Sequence, residues 1–219
     1  MPFGLLDSGC TFQRVIHEEL RDLPNLFIYI DDILVGSRSL EEHEQHLREV
    51  FTRLSENCLT ANLKKCVMAK SMVTFLGHTV DSEGIRPLPE KVDAIKQFPL
   101  PSSKLDVQRL LSMVNFYRRF LPRLAHIVRP LTDSLSKAKK DFTITPEMIT
   151  AVNHVKTAIS NATMLVHQCR DVTLSITTNA SDTAISGVLH QHHRGRLEPL
   201  SCFSRRLSDP EVALALQQS

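Results

Sequence analysis

The stretch Leu26-Phe27-Ile28-Tyr29-Ile30-Asp31-Asp32-Ile33-Leu34-Val35 sets two adjacent carboxylates inside an otherwise apolar run. Short apolar runs bounded by turn residues read as buried strands. The stretch therefore predicts a β-hairpin with Asp31 and Asp32 at or near its tip, closed by Gly36. Two-residue hairpin turns favour Asn-Gly or Asp-Gly because the turn needs positive φ, a need that Asp-Asp meets poorly. Neighbouring negative charges also repel, and burial raises carboxyl pKa values. A divalent cation with a preference for hard oxygen ligands, such as Mg²⁺, relieves both problems. A solvated turn with two ordinary acids is the other reading, and the residues alone leave both open.

On the N-terminal side, Thr11 is expected to cap a helix whose apolar face is Phe12, Val15, Ile16, Leu20 and Leu23, ended by Pro24. Beyond the hairpin, Ser39 and Glu42 form a capping box. The helix that follows carries Leu47, Val50, Phe51 and Leu54 on one face and Glu41, Glu44 and Glu49 on the other. His43 and His46 on this helix read as solvent-facing rather than as metal ligands. Leu59–Leu63 and Val73–Val80 read as strands, with Asp81–Gly84 as a turn. Helices on one face of a mostly antiparallel sheet make this an α+β arrangement.

Composition shifts near Ile85. Pro87, Pro89, Pro99 and Pro101 bracket a short helix, and Ser103 caps a longer one with the stripe Val107, Leu110, Leu111, Val114 and Tyr117. Lys104 to Lys140 contains nine Lys or Arg and two Asp, a local charge of +7 in a chain whose net charge is +2. Phe116, Tyr117 and Phe120 interleave with Arg109, Arg118, Arg119 and Arg123. Basic helices with interspersed aromatics suit a nucleic-acid backbone, because neutralising phosphates releases counterions. A solvated basic helix with core aromatics is the competing reading.

Lys137–Asp141 reads as a linker. Thr145 with Pro146 and Glu147 opens another helix, with Met148, Val152, Val155 and Ile159 buried. Val172–Thr178, Ile185–Gln191 and Leu197–Ser204 read as strands. The cluster of His190, His192, His193, Arg194 and Arg196 reads as a polar hairpin tip. Ala213–Leu216 reads as the start of a helix.

The 219 residues, 42% of them hydrophobic, are enough to bury a real core. Five widely spaced cysteines without a CxxC pair argue against a disulfide framework or a zinc site and favour a reducing compartment. No secretory signal is evident, and no apolar run reaches the ~18–20 residues of a membrane span. These features point to an intracellular protein, cytoplasmic or nuclear, neither secreted nor membrane-embedded. Oligomeric state is not legible.

Met1-Pro2-Phe3-Gly4-Leu5, Thr11-Phe12-Gln13, Tyr29–Val35, Lys65-Cys66, Phe75-Leu76-Gly77-His78, Gly84-Ile85 and Asn115-Phe116-Tyr117-Arg118-Arg119-Phe120 follow one another in a characteristic order. In this series the chain resembles the reverse transcriptase and ribonuclease H region of gypsy-class LTR retrotransposon Pol polyproteins, over nearly its whole length. The resemblance implies a partial polymerase palm over 1–86, thumb and connection helices over 87–144, and a truncated ribonuclease H-like α/β domain over 145–219. It implies that Asp31 and Asp32 are the catalytic, Mg²⁺-binding pair of an RNA-directed DNA polymerase. Phe3, Gly4, Gln13 and Lys65 would lie on the nucleotide and template side, and Phe75, Leu76, Gly77 and His78 would grip the primer. Arg109, Arg118, Arg119 and Arg123 would bind nucleic acid. The partners would be an RNA or DNA primer–template and, in an active enzyme, a dNTP.

Departures from the family pattern bear on activity. The family places a further metal-binding aspartate upstream of the segment matched by Met1. Leu6-Asp7-Ser8 stands where a basic-then-polar step is usual. Asn179 occupies the ribonuclease H aspartate position, where a neutral amide cannot supply the charge a Mg²⁺ cluster needs. Glu211–Ser219 does not align with the family's glutamate-bearing helix. The resemblance therefore leads to an expectation of little or no polymerase activity in the chain alone, with non-catalytic nucleic-acid binding as the alternative.

Overall fold

The computed structural model describes residues 7–136, 142–208 and 211. It divides into two compact units, Met1–Ser71 and Met72–Ser219.

The first unit is built on helix α1 (Ser8–Leu20), a hairpin of β1 (Leu26–Tyr29) and β2 (Asp32–Val35), and helix α2 (Leu40–Glu56). Its core is Ile16, Leu20, Val50 and Leu54, with Phe12, Leu23, Leu26, Ile28, Ile33 and Val35 packed around them. The start of α1 differs from expectation. Asp7 sits at the N-cap, and the Thr11 amide donates to the Asp7 carbonyl, so Thr11 lies inside the helix. Val15 is exposed, because the buried face runs through Ile16 and Leu20.

Helix α2 begins as predicted. The Ser39 hydroxyl accepts from the Glu42 amide at 3.1 Å, and the Glu42 carboxylate accepts from the Arg38 amide at 2.6 Å. The two histidines depart from expectation. Both His43 Nδ1 and His46 Nδ1 lie within 3.1 Å of Ser37 Oγ, and the His46 side chain is only 11% exposed. The expected strand at Leu59–Leu63 is also absent. Leu63–Lys65 forms a short 3-10 turn and Leu63 is exposed, with no neighbouring strand among the described residues to pair with it.

The second unit opens with a three-stranded antiparallel sheet of β3 (Met72–Phe75), β4 (His78–Asp81) and β5 (Ile85–Pro87). The single strand expected over Val73–Val80 is broken by a two-residue turn. Leu76 (φ 45°) and Gly77 (φ 74°) both take the left-handed conformation that reverses a hairpin. Helices α3 (Pro89–Lys96), α4 (Lys104–Phe116), α5 (Leu124–Ser134) and α6 (Pro146–Ser160) follow. Ser103 and Thr145 cap α4 and α6 as expected. Their stripes meet in one core that includes Ile95, Val107, Leu110, Val114, Phe120, Leu131, Val152, Val155 and Ile159.

A second antiparallel sheet, β6 (Leu174–Ala180), β7 (Ala184–His193) and β8 (Arg196–Arg206), completes the unit. The β7–β8 tip is the Arg194-Gly195 turn, both residues at positive φ. Asn179 and Ala180, expected to end the first of these strands, are paired within it. Ile85 of β5 forms an isolated bridge with Leu165, and the next residue, Val166, donates its amide to the Pro199 carbonyl of β8 at 3.0 Å. At that bridge Gly84 (φ 158°) passes so close to Leu165 that an added Cβ would lie 2.2 Å from its carbonyl oxygen. Mixed helices and antiparallel sheets agree with the expected α+β class. No helix among the described residues is long and apolar enough to cross a membrane. The expected linker at 137–141 and most of the expected C-terminal helix lie outside the described residues.

Candidate functional site

The β1–β2 hairpin pairs Tyr29 with Asp32, leaving Ile30 and Asp31 as a two-residue turn. Asp31 thus sits in the turn and Asp32 begins the returning strand. Positive φ falls only on the first turn position, Ile30 (φ 50°), the pattern of a type II′ turn. That position favours glycine. A β-branched residue there is a genuine outlier, at a cost on the order of 1–3 kcal/mol.

The turn is gripped from α1. Gln13 Nε2 donates to the Ile28 carbonyl at 3.2 Å, and Gln13 Oε1 accepts from the Ile30 amide. One amide side chain thereby ties both sides of the peptide segment preceding the aspartates. Gln13 holds its place because α1 buries Ile16 and Leu20, three and seven residues further on and on the same face. Asp31 and Asp32 are both exposed, and neither carboxylate forms a hydrogen bond or ion pair among the described residues.

Two adjacent carboxylates with no competing cation are suitable donors for a hard divalent ion such as Mg²⁺, which keeps several of its waters and takes one or two carboxylates from the protein. No cluster of three or more potential metal ligands occurs among the described residues. Lys65 is exposed at the end of the 3-10 turn in the same unit. Phe3 and Gly4 lie outside the described residues.

The remaining predicted residues belong to the second unit. Phe75, Leu76, Gly77 and His78 make the β3–β4 turn, which packs on the end of α4. The His78 ring stacks on Phe116 (centroids 5.3 Å apart, planes at 21°) and contacts Tyr117 edge-on at 5.6 Å and Phe120 at 5.4 Å. The Tyr117 hydroxyl donates to the Gly77 carbonyl at 2.9 Å. Tyr117 and Phe120 are 3% and 0% exposed, so these two aromatics are core and only Phe116, at 54%, faces solvent. Burial is the main cause that pushes the His78 pKa down, with the charge of Arg119 adding to it. His78 Nε2 is buried without a hydrogen-bond partner.

The arginines are not equivalent. Arg109 lies 3.6 Å from Asp106. Arg118 and Arg119 are exposed on a 3-10 turn with no ion pair among the described residues. Arg123 occupies a left-handed position (φ 56°) at the start of α5. Asn179 pairs with Ser186 in the β6–β7 ladder and is exposed. The expected polar tip holds in part, since His193 Nδ1 lies 3.5 Å from Glu198.

Two polar groups at this level escape sequence reading. Gln191, 1% exposed, donates to the His167 carbonyl and to Glu198, and accepts from the Cys169 amide. Gln13 falls within a motif that flags its importance, but nothing in the motif tells that its amide is committed to the hairpin backbone.

Comparison with known proteins agrees with this architecture. The family model for reverse transcriptase (RNA-dependent DNA polymerase) matches residues 1–80, and that for the RNase H-like domain found in reverse transcriptase matches 144–217. The chain is 37% identical over 214 residues to the Retrovirus-related Pol polyprotein from transposon 297 of Drosophila melanogaster, covering 97% of this chain and 20% of that protein. It is 34% identical to the corresponding polyprotein from transposon opus of the same fly, covering 96% and 22%, and 28% identical to the Tf2-3 polyprotein of Schizosaccharomyces pombe, covering 97% and 16%. The chain thus spans about a fifth of the length of these relatives. Among solved structures, a foamy viral protease-reverse transcriptase in complex with dsDNA superposes with a TM-score of 0.81 at 26% identity, over 97% of this chain and 44% of that one. The same protein in complex with RNA/DNA hybrid gives 0.80. The chain belongs to the reverse transcriptase and ribonuclease H-like region of LTR-retrotransposon Pol polyproteins.

Proposed function

We propose that the chain is the part of an RNA-directed DNA polymerase that carries the paired carboxylates, with Asp31 and Asp32 as ligands to Mg²⁺. The observation that carries this reading is the two exposed carboxylates of Asp31 and Asp32, without an ion pair among the described residues, at a braced hairpin turn in a chain of this family. Bound ions would activate the primer hydroxyl and neutralise the incoming triphosphate. The chain's own residues hold the carboxylates at a fixed turn and leave their oxygens open to solvent. Phe3, Gly4 and Lys65 belong to the nucleotide and template side. Phe75 to His78 form the primer contact, on a turn made rigid by Phe116, Tyr117 and Phe120. The division is a palm over 1–86, thumb and connection over 87–144 and a ribonuclease H-like module over 145–219.

Two carboxylates leave most of a Mg²⁺ coordination sphere to water, so the purified chain is expected to bind the ion weakly and to incorporate little dNTP. Mn²⁺ binding, measured by electron paramagnetic resonance, tests the site. Loss of binding in Asp31→Asn with Asp32→Asn supports it, and unchanged binding overturns it. Template-dependent incorporation abolished by Asp31→Asn would show that the weak-activity expectation is wrong.

A second reading, nucleic-acid binding without chemistry, rests on the exposed and unpaired Arg118 and Arg119. The solved relatives in complex with dsDNA and with RNA/DNA hybrid support a primer–template as partner. Asn179 in the β6 ladder argues against hydrolysis by the ribonuclease H-like part, because an amide carries no charge for a metal.

A further inference from the structure

We propose that Gln13 is a positioning residue for Asp31 and Asp32: its amide clamps the Ile28–Ile30 backbone and holds a strained turn in the one conformation that presents both carboxylates outward. The inference rests on the metal-binding reading of the two aspartates.

Three observations carry it. Gln13 contacts the turn through both ends of its amide, donating to the Ile28 carbonyl and accepting from the Ile30 amide. These contacts bridge 15 and 17 residues of sequence, so the clamp couples helix α1 to the hairpin. The residue it grips, Ile30, is β-branched and sits at φ 50°, a conformation that glycine adopts freely and isoleucine resists. A strained conformation persists only where its surroundings over-determine it, and Gln13 supplies that surrounding contact. Asp31 and Asp32 follow Ile30 directly in the chain. Their carboxylates have no hydrogen bond among the described residues to orient them, so the backbone of the turn and the Tyr29–Asp32 pair set their direction.

The clamp is the backbone counterpart of an outer-shell contact to a metal ligand, a class of contact whose loss costs roughly tenfold or more in metal affinity. Gln13→Met keeps the length and apolar stem but makes neither hydrogen bond. In the 219-residue chain it is expected to speed amide hydrogen exchange across residues 28–32 and to raise the Mn²⁺ dissociation constant about tenfold. Ile30→Gly removes the strain that the clamp opposes. The double variant Gln13→Met with Ile30→Gly is therefore expected to recover most of the lost Mn²⁺ affinity, which a mere packing role for Gln13 would not produce. Gln13→Glu, which still accepts from Ile30 but cannot donate to Ile28, is expected to fall between.

Unchanged exchange and unchanged Mn²⁺ affinity in Gln13→Met overturn the proposal, as does a double variant no better than the single. If Gln13→Met does not fold, the comparison of Gln13→Glu with and without Ile30→Gly decides the same point. If the parent chain binds no Mn²⁺, the metal reading fails, and hydrogen exchange at 28–32 still decides whether the clamp exists.

Discussion

The Tyr117 hydroxyl donates a 2.9 Å hydrogen bond to the carbonyl of Gly77, 40 residues earlier in the chain. It joins two motifs that look independent in sequence, the Phe75–His78 turn and the aromatic–arginine run at the end of α4. Tyr117→Phe keeps the buried ring and removes the hydroxyl. The Gly77 carbonyl still accepts from the Leu88 amide at 3.2 Å, so no buried acceptor is orphaned. A loss of about 1 kcal/mol in urea unfolding is expected. Gly77→Ala is expected to cost more, about 2 kcal/mol, because it combines φ 74° with a Cβ 3.1 Å from the Phe116 ring.

Gly84 is the stricter case. A Cβ there would meet the Leu165 carbonyl oxygen at 2.2 Å and disrupt the paired hydrogen bonds of 2.7 and 3.1 Å between Ile85 and Leu165. Gly84→Ala is expected to destabilise the second unit by more than about 2 kcal/mol. Its urea midpoint, compared with that of Gly9→Ala, where nothing lies within 4 Å of an added Cβ, measures the difference.

Nucleic-acid binding through Arg118 and Arg119 predicts a salt dependence. Replacing both with alanine is expected to weaken primer–template binding at all sequences and to reduce the slope of log K against log[salt] by about two. Fluorescence anisotropy across a salt series reads this directly. Arg109→Ala is expected to matter less, since Asp106 already partners that guanidinium.

His78 sets a pH dependence. Burial lowers its pKa below the ordinary 6.5, so the folded state prefers the neutral ring while the unfolded chain takes up a proton near 6.5. Its contribution to stability is therefore complete above pH 6.5 and falls as the pH drops toward the folded-state value. The His78 ring titration followed by NMR is expected to have its midpoint below 6.5. His78→Phe is expected to flatten the acid side of the stability curve.

Much of the local structure was legible in the residues. The apolar run broken by Asp31-Asp32 is a hairpin with its carboxylates at the turn. Ser39, Ser103 and Thr145 cap the helices they were expected to cap. Those signals are local, because a side chain that accepts from an amide three residues on needs no tertiary partner. The expectation failed where a local pattern was ambiguous. Val73–Val80 reads as one strand by its apolar content, yet Leu76 and Gly77 turn it back on itself. Leu59–Leu63 has strand-like composition but no pairing strand among the described residues.

The sequence by itself determined the carboxylate pair, the helix caps, the basic run after Pro101 and the family, because each is written in residue type and order. Only the tertiary structure decided which residues serve those features. It placed Tyr117 and Phe120 in the core rather than on the exposed basic surface and left Arg118 and Arg119 free of ion pairs among the described residues. It also committed the Gln13 amide to the turn before the aspartates. Hydrogen bonds and burial across 15 to 40 residues depend on how elements pack, and periodicity along the chain carries no record of that packing.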